Sequence, residues 1–242
     1  MTAMPDGAWT RNGMLVSLYD QNSMAGEQFR KLQVKLRALK HATGGKLSTI
    51  VVTSPLMGEG KTACALNIAI ALSHDQSDRR VLLIDCDVRK PKVHTFLENP
   101  PARGLLDLFD GRGTVKELAM TMPGRMLDIV VIPPATGANG SRPHSLPIEK
   151  LKELLKSLVP HYEFIICDAP PILPTADAGG LVNICDGALM VVRAGVTPRP
   201  ATGKALAAVD KTKLIGFVLN GVRESRMGRY YYKYYEQTAE SK

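Results

Sequence analysis

Between Glu27 and His41 the apolar residues Phe29, Leu32, Leu36 and Leu39 recur at spacings of three and four, the period of one face of an α-helix. Arg30, Lys31, Lys35, Arg37 and Lys40 fall between them and give that helix a basic back, and Gly44-Gly45 ends it. The pattern then changes to a β-branched run, Ser48 to Thr53, which reads as a buried strand feeding a helix over Thr62 to Ser73. Further strands are predicted at Val81 to Ile84, Leu127 to Ile132, Phe164 to Cys167, Ala188 to Val192 and Leu214 to Leu219. Helices fall between the later ones, over Leu146 to Val159, Thr175 to Ile184 and Ala201 to Val209, while the region between the second and third strands is looser. Alternation of this kind predicts an α/β fold: a twisted parallel sheet flanked by helices on both faces, with its functional residues at the strands' C-terminal ends.

The ends of the chain lack periodicity. Residues 1–24 read as a flexible arm, residues 25–222 as one domain that includes the amphipathic helix over 25–42, and residues 223–242 as a tail. The segment from Pro133 to Pro147, rich in Pro, Gly, Ala and Ser, reads as a surface loop over the functional edge of the sheet. With 242 residues, 45% hydrophobic and 22% charged, the chain can bury a full core, which excludes disorder throughout. Its longest apolar stretch, Leu181 to Val192, contains Asn183 and Asp186 and falls short of the roughly 20 residues a membrane helix needs. The first residues carry no apolar signal core, so a cytoplasmic location is expected. Cys64, Cys86, Cys167 and Cys185 are widely spaced, with no C-x-x-C pair and no histidine at metal-ligand spacing, and read as small buried hydrophobes. The net charge of +8 admits nucleic acid, a membrane surface or an acidic protein as partner. Nothing beyond that charge favours nucleic acid, and none is expected.

The chemistry concentrates after the first strand. In Gly58-Glu59-Gly60-Lys61-Thr62, the glycines let backbone N–H groups approach phosphate oxygens, the lysine reaches the β and γ phosphates, and the hydroxyl is placed to ligate Mg²⁺. Two more apolar strands end in acids, at Asp85-Cys86-Asp87 and at Asp168, and a parallel sheet brings such ends beside the phosphate loop. These residues together predict a Mg²⁺-ATP site. Near the C-terminus, Tyr230, Tyr231, Tyr232, Tyr234 and Tyr235 fit neither helix nor strand period, so packing is a poor reason for them. The expectation is that a phosphoryl donor site and a cluster of candidate phosphoryl acceptors share this chain.

The order GEGKT, VLLIDCDVRKP, FIICDAPP and a terminal tyrosine cluster resembles the bacterial tyrosine kinase (BY-kinase) family of capsular and exopolysaccharide biosynthesis, over nearly everything from Glu27 to the end. GLLDLFDG from Gly104 and VVRAGVT from Val191 are also similar to family sequence. The resemblance implies a P-loop fold like that of the MinD and ParA ATPases and an autokinase that phosphorylates Tyr230 to Tyr235 in trans. It implies a nucleotide site of Gly58, Glu59, Gly60, Lys61, Thr62 and Ala63, with Asn220 a candidate adenine contact or a turn former before Gly221. It implies Mg²⁺ held by Thr62, Asp85 and Asp168, catalytic roles for Lys61, Asp85, Asp87 and Asp168, and Asp85 or Asp87 as the group that deprotonates the tyrosine. Its partners would be a ring-like homo-oligomer assembled through Glu27 and Arg30, a separate transmembrane co-polymerase that activates the kinase at the inner face of the membrane, and protein substrates of polysaccharide synthesis. Gln33 stands where the family's helix motif ends in arginine, and Pro55 and Met57 depart from its usual phosphate loop. The alternative is a MinD/ParA-like ATPase switch without kinase activity. Such switches carry an extra lysine near the start of the loop, where this chain has Ser54-Pro55-Leu56-Met57.

Overall fold

A computed structural model of the chain describes residues 13–74, 79–134 and 143–222. Seven strands form one sheet: β1 (Thr49–Thr53), β2 (Arg80–Asp85), β3 (Met120–Thr121), β4 (Leu127–Val130), β5 (Tyr162–Asp168), β6 (Gly187–Arg193) and β7 (Leu214–Asn220). Their spatial order is β3-β4-β2-β5-β1-β6-β7, and every neighbouring pair is parallel except β3 with β4. The helices are α1 (Val16–Tyr19), α2 (Met24–Ala42), α3 (Lys61–Leu72), α4 (Leu105–Phe109), α5 (Val115–Leu118), α6 (Ile148–Leu158), α7 (Ala176–Ile184) and α8 (Arg199–Ala207).

Alternate residues of the central strands face opposite layers, because side chains on a strand repeat every two residues. Ile50 and Val52 of β1, with Phe164 and Ile166 of β5, pack against α1, α2 and α3. Val51, Ile165 and Cys167 pack the other way, against α6, α7 and α8. Ile50, Val51 and Val52 have no exposed surface, which explains why their segment reads as an unbroken apolar run. The four cysteines are free and buried.

The helix read from its stripe begins at Met24, three residues ahead of that stripe and one ahead of the predicted span of 25–42, and ends with it at Ala42. Ser23 is its N-cap, its side-chain oxygen accepting from the Gly26 amide at 3.0 Å. Leu36 is 1% exposed and Phe29 and Leu32 pack on the core, whereas Leu39 lies at the last turn and is 37% exposed.

Within the segment read as a flexible arm, Leu15, Ser17 and Leu18 are buried while Met14 and Tyr19 stay exposed, which corrects that expectation for residues 15–18. Leu15 and Leu18 are buried in the core beneath α3. Asn67 of α3 fastens them, accepting from the Ser17 amide at 2.8 Å and donating to the Met14 carbonyl at 2.7 Å. Residues 1–12 and 135–142, and the tail from 223 with its tyrosines, lie outside the described residues. The looser region after β2 holds a 3₁₀ turn at Val93–Phe96, the short helices α4 and α5, and the two-residue edge strand β3. Each is too short to generate a readable period.

Candidate active site

The strand order places the three acid-bearing or loop-bearing strand ends side by side. β5 lies between β2 and β1, so Asp168 is the ladder partner of Asp85 on one side and of Val52 on the other. The chain leaves β1 after Thr53, turns through residues 54–60 and enters α3 at Lys61. Gly58 (φ 79°) and Gly60 (φ 88°) both occupy the left-handed region, which an L side chain adopts only with strain. A Cβ on Gly60 would also stand 2.1 Å from Asn220 Nδ2. The loop therefore needs both glycines for its shape, with backbone N–H groups gathered at the N-terminus of α3, an arrangement that suits phosphate oxygens.

Four charged groups meet at this rim. The Lys61 ammonium donates to Asp87 Oδ2 at 3.0 Å, and both side chains are nearly buried, at 12% and 5% exposure. Burial opposes the lysine's charge, yet Asp168, Asp87 and Asp85 outweigh it and raise its pKa above the ordinary value. Asp85 has no exposed surface. Its Oδ1 accepts from the Asp87 amide at 3.1 Å, and its Oδ2 accepts from the amides of Lys92 at 3.2 Å and Val93 at 3.1 Å. Even so, burial first and then the charge of Asp168 push its pKa up to about 8.

Asp168 is different. It is fully buried, and neither of its carboxylate oxygens has a hydrogen-bond partner. Burial raises its pKa, against the opposing pull of Lys61 and of the nearby Thr62 hydroxyl. That hydroxyl contact is electrostatic proximity rather than a well-formed hydrogen bond, since the geometry leaves both oxygens free.

Two adjacent buried carboxylates, one with both oxygens free, are costly, and Lys61 offsets their charge only in part, since the Asp168 pKa stays raised despite it, so a second cation beside them would be stabilising. Mg²⁺ takes one or two carboxylates and completes its shell with phosphate oxygens and waters. Thr62 and Asp168 supply donors of the right kind, so these residues fit the ion. Among the described residues no group of three or more His, Cys, Asp or Glu gathers as an all-protein cage, and Mg²⁺ does not require one.

The structure brings together Gly58, Glu59, Gly60, Lys61, Thr62, Ala63, Asp85, Asp87 and Asp168 on this one edge. Asn220 is there too, its Nδ2 donating to the Glu59 carbonyl at 2.9 Å and its Oδ1 accepting from the Gly221 amide at 2.9 Å. Glu59 turns its side chain inward and is 3% exposed. Glu27 and Arg30 lie away from this edge on α2, 3.4 Å apart in a pair within one helical turn. Sequence reasoning did not single out Arg193 and Thr197, which contact the phosphate loop from the end of β6. Nor did it single out Asp177 at the start of α7, 3.7 Å from Arg89. The first two lie inside the quoted VVRAGVT segment, but their partners are so distant along the chain that only the fold reveals them.

A family model, the CobQ/CobB/MinD/ParA nucleotide binding domain, matches residues 50–242. The tyrosine-protein kinase YwqD of Bacillus subtilis is 32% identical over 223 residues, which are 90% of either chain. The succinoglycan biosynthesis transport protein ExoP of Rhizobium meliloti is 28% identical over 213 residues, 86% of this chain and 26% of ExoP, so this chain spans only about a quarter of that relative. Among solved structures, the chimerical protein CapA2B2 superposes with a TM-score of 0.73 at 25% identity, over 91% of this chain and 96% of that one. The chain belongs to the CobQ/CobB/MinD/ParA nucleotide-binding family and, within it, to the bacterial tyrosine-protein kinases.

Proposed function

We propose that this chain is an ATP-dependent protein tyrosine kinase that phosphorylates the cluster Tyr230, Tyr231, Tyr232, Tyr234 and Tyr235 of a second copy. The observation that carries this reading is the Lys61–Asp87 pair next to the free oxygens of Asp168. In it, a phosphate-seeking cation, a carboxylate able to take a proton and a metal-seeking carboxylate share one rim. When bound, Mg²⁺ would neutralise charge on the β and γ phosphates. Lys61 exchanges Asp87 for those phosphates, which leaves Asp87 free to face an incoming phenol. The phenolic oxygen attacks the terminal phosphorus, the bond to the departing ADP oxygen breaks, and Asp87 receives the phenolic proton. Asp85 is the less accessible proton acceptor, because it has no exposed surface and its two oxygens already accept from three backbone amides. Its proposed part is to hold the loop from Asp87 to Val93 in place and, once a bound cation draws off its proton, to add negative charge beside that ion with Asp168. Phosphoryl transfer asks mainly for alignment and charge neutralisation, so this small set suffices.

Transfer between copies needs an assembly, and the exposed face of α2, including Glu27 and Arg30, is its proposed contact. A role in exopolysaccharide or capsule export follows from the name of ExoP. A separate transmembrane co-polymerase is the proposed activator, recruiting the chain to the inner face of the membrane. Among the described residues no helix is long and apolar enough to cross a membrane. Incubating wild type and Lys61→Met with Mg²⁺-ATP and probing for phosphotyrosine tests the reading. Phosphotyrosine on wild type and none on Lys61→Met is expected. ATP hydrolysis by wild type without any phosphotyrosine would favour the ATPase switch instead.

A further inference from the structure

The phosphate loop is tied to the far strands by a set of bonds that the chemistry above does not use. Glu59, between the two left-handed glycines, is almost wholly buried. Its Oε2 accepts from the Leu56 amide at 2.9 Å, within the loop itself. Its Oε1 accepts from the hydroxyl of Thr197, on the turn that follows β6. That hydroxyl in turn accepts from the Arg193 amide at 2.8 Å. A threonine hydroxyl has one proton, and with Arg193 N–H aimed at its oxygen the proton is left for Glu59. Two further links run in parallel: Arg193 Nη1 donates to the Gly58 carbonyl at 3.3 Å, and Asn220 Nδ2 donates to the Glu59 carbonyl at 2.9 Å.

We infer that Thr197, acting through the buried Glu59 carboxylate, is a positioning residue that presets the phosphate loop for nucleotide and so sets ATP affinity. This rests on the reading of the loop as the ATP site. Gly58 and Gly60 have the widest backbone freedom of any residue type, and a loop built on them loses much entropy when phosphate orders it. The Thr197–Glu59–Leu56 chain bears that ordering cost at folding instead of at binding, which is preorganisation. The gain is made in the ground state and kept in the transition state, because the loop holds phosphate in both. Such a uniform contribution appears in KM and leaves kcat nearly alone.

Thr197→Val removes the hydroxyl at nearly constant shape, and Thr197→Ser restores it. With the full chain and Mg²⁺, binding of a fluorescent ATP analogue (mant-ATP) and the KM and kcat of tyrosine phosphorylation are measured for both. The Val variant should weaken mant-ATP binding and raise KM by about tenfold, the scale of one hydrogen bond to a charged group. Its kcat should fall by less than about threefold, and the Ser variant should stay within about twofold of wild type. Binding by the Val variant equal to wild type would overturn the inference, as would a Ser variant as weak as Val or a loss confined to kcat. Failure of wild type to bind mant-ATP at all would remove the nucleotide-site reading itself, a result distinct from wild type and Val binding equally well.

Discussion

Asp168 carries two opposed demands, and they predict opposite effects of one substitution. A buried carboxylate with both oxygens free costs stability, while the proposed ion needs that same carboxylate. Asp168→Asn should therefore raise the thermal midpoint of the ligand-free protein by a few degrees, on the order of 1 kcal/mol. It should also lower tyrosine phosphorylation by at least about a hundredfold, roughly the scale of losing one preorganised charge at a phosphoryl site. Calorimetry and a phosphorylation assay on the same preparation check the two halves. The pH dependence has a definite sign. Asp85 is pushed up to about 8 and Asp168 is raised as well, both first by burial, so the folded chain holds more protons than the unfolded one above about 4. Stability of the ligand-free protein should then fall as pH rises from about 5 to about 8, and Asp168→Asn should flatten that slope. A midpoint that rises with pH across this window would contradict the placement of the pair. At this scale the motif residues Lys61, Thr62, Asp85 and Asp168 were legible, because each follows directly from a short run that forms a loop or a strand end. The proposed preference for Asp87 over Asp85 was not, since it rests on backbone amides of residues 87, 92 and 93 that fold back on Asp85.

The helix α2 shows how burial divides one element. Leu36 is enclosed by α3 and the sheet, whereas Val34, two residues earlier, is 66% exposed. Leu36→Ala should cost about 2–5 kcal/mol in denaturant unfolding, and Val34→Ala should stay within about 0.5 kcal/mol. Equal effects would mean that α2 does not dock as described. The loop element gives a sharper case. Gly60→Ala meets both a left-handed backbone and the Asn220 amide, so it should abolish mant-ATP binding while the sheet, built from other strands, keeps its far-ultraviolet circular dichroism. The helix and the parallel strands were legible because their periods run for at least a turn or a strand length. Leu15 and Leu18 were not, since α1 is one turn long and its burial depends on Asn67, about fifty residues away in sequence. The antiparallel β3 pairs only two residues with β4, too few to leave an alternation.

For the whole molecule, the strand order does the positioning: inserting β5 between β2 and β1 is what sets Asp168 beside both Asp85 and the phosphate loop. Alternation of strands and helices made the parallel class legible, but no local pattern states which strand inserts where. Charge acts at the same scale. Each phosphate on the tail adds roughly 1.5 to 2 negative charges, so five would add about 8 to 10 and offset the chain's net +8. Phosphorylated protein should accordingly sediment as a smaller species than the unphosphorylated form at low ionic strength, and an unchanged sedimentation coefficient would count against charge-controlled assembly. The central claim, transfer from one copy's nucleotide site to another copy's tyrosines, is tested most directly by mixing two defective chains. One is a chain ending at residue 227, which keeps the site and lacks the tyrosines; the other is full-length Lys61→Met, which keeps the tyrosines and lacks the phosphate-binding lysine. After incubation with Mg²⁺-ATP, mass-spectrometric peptide mapping should find phosphate on Tyr230 to Tyr235 of the Lys61→Met chain. Consumption of ATP with those tyrosines unmodified would contradict the account.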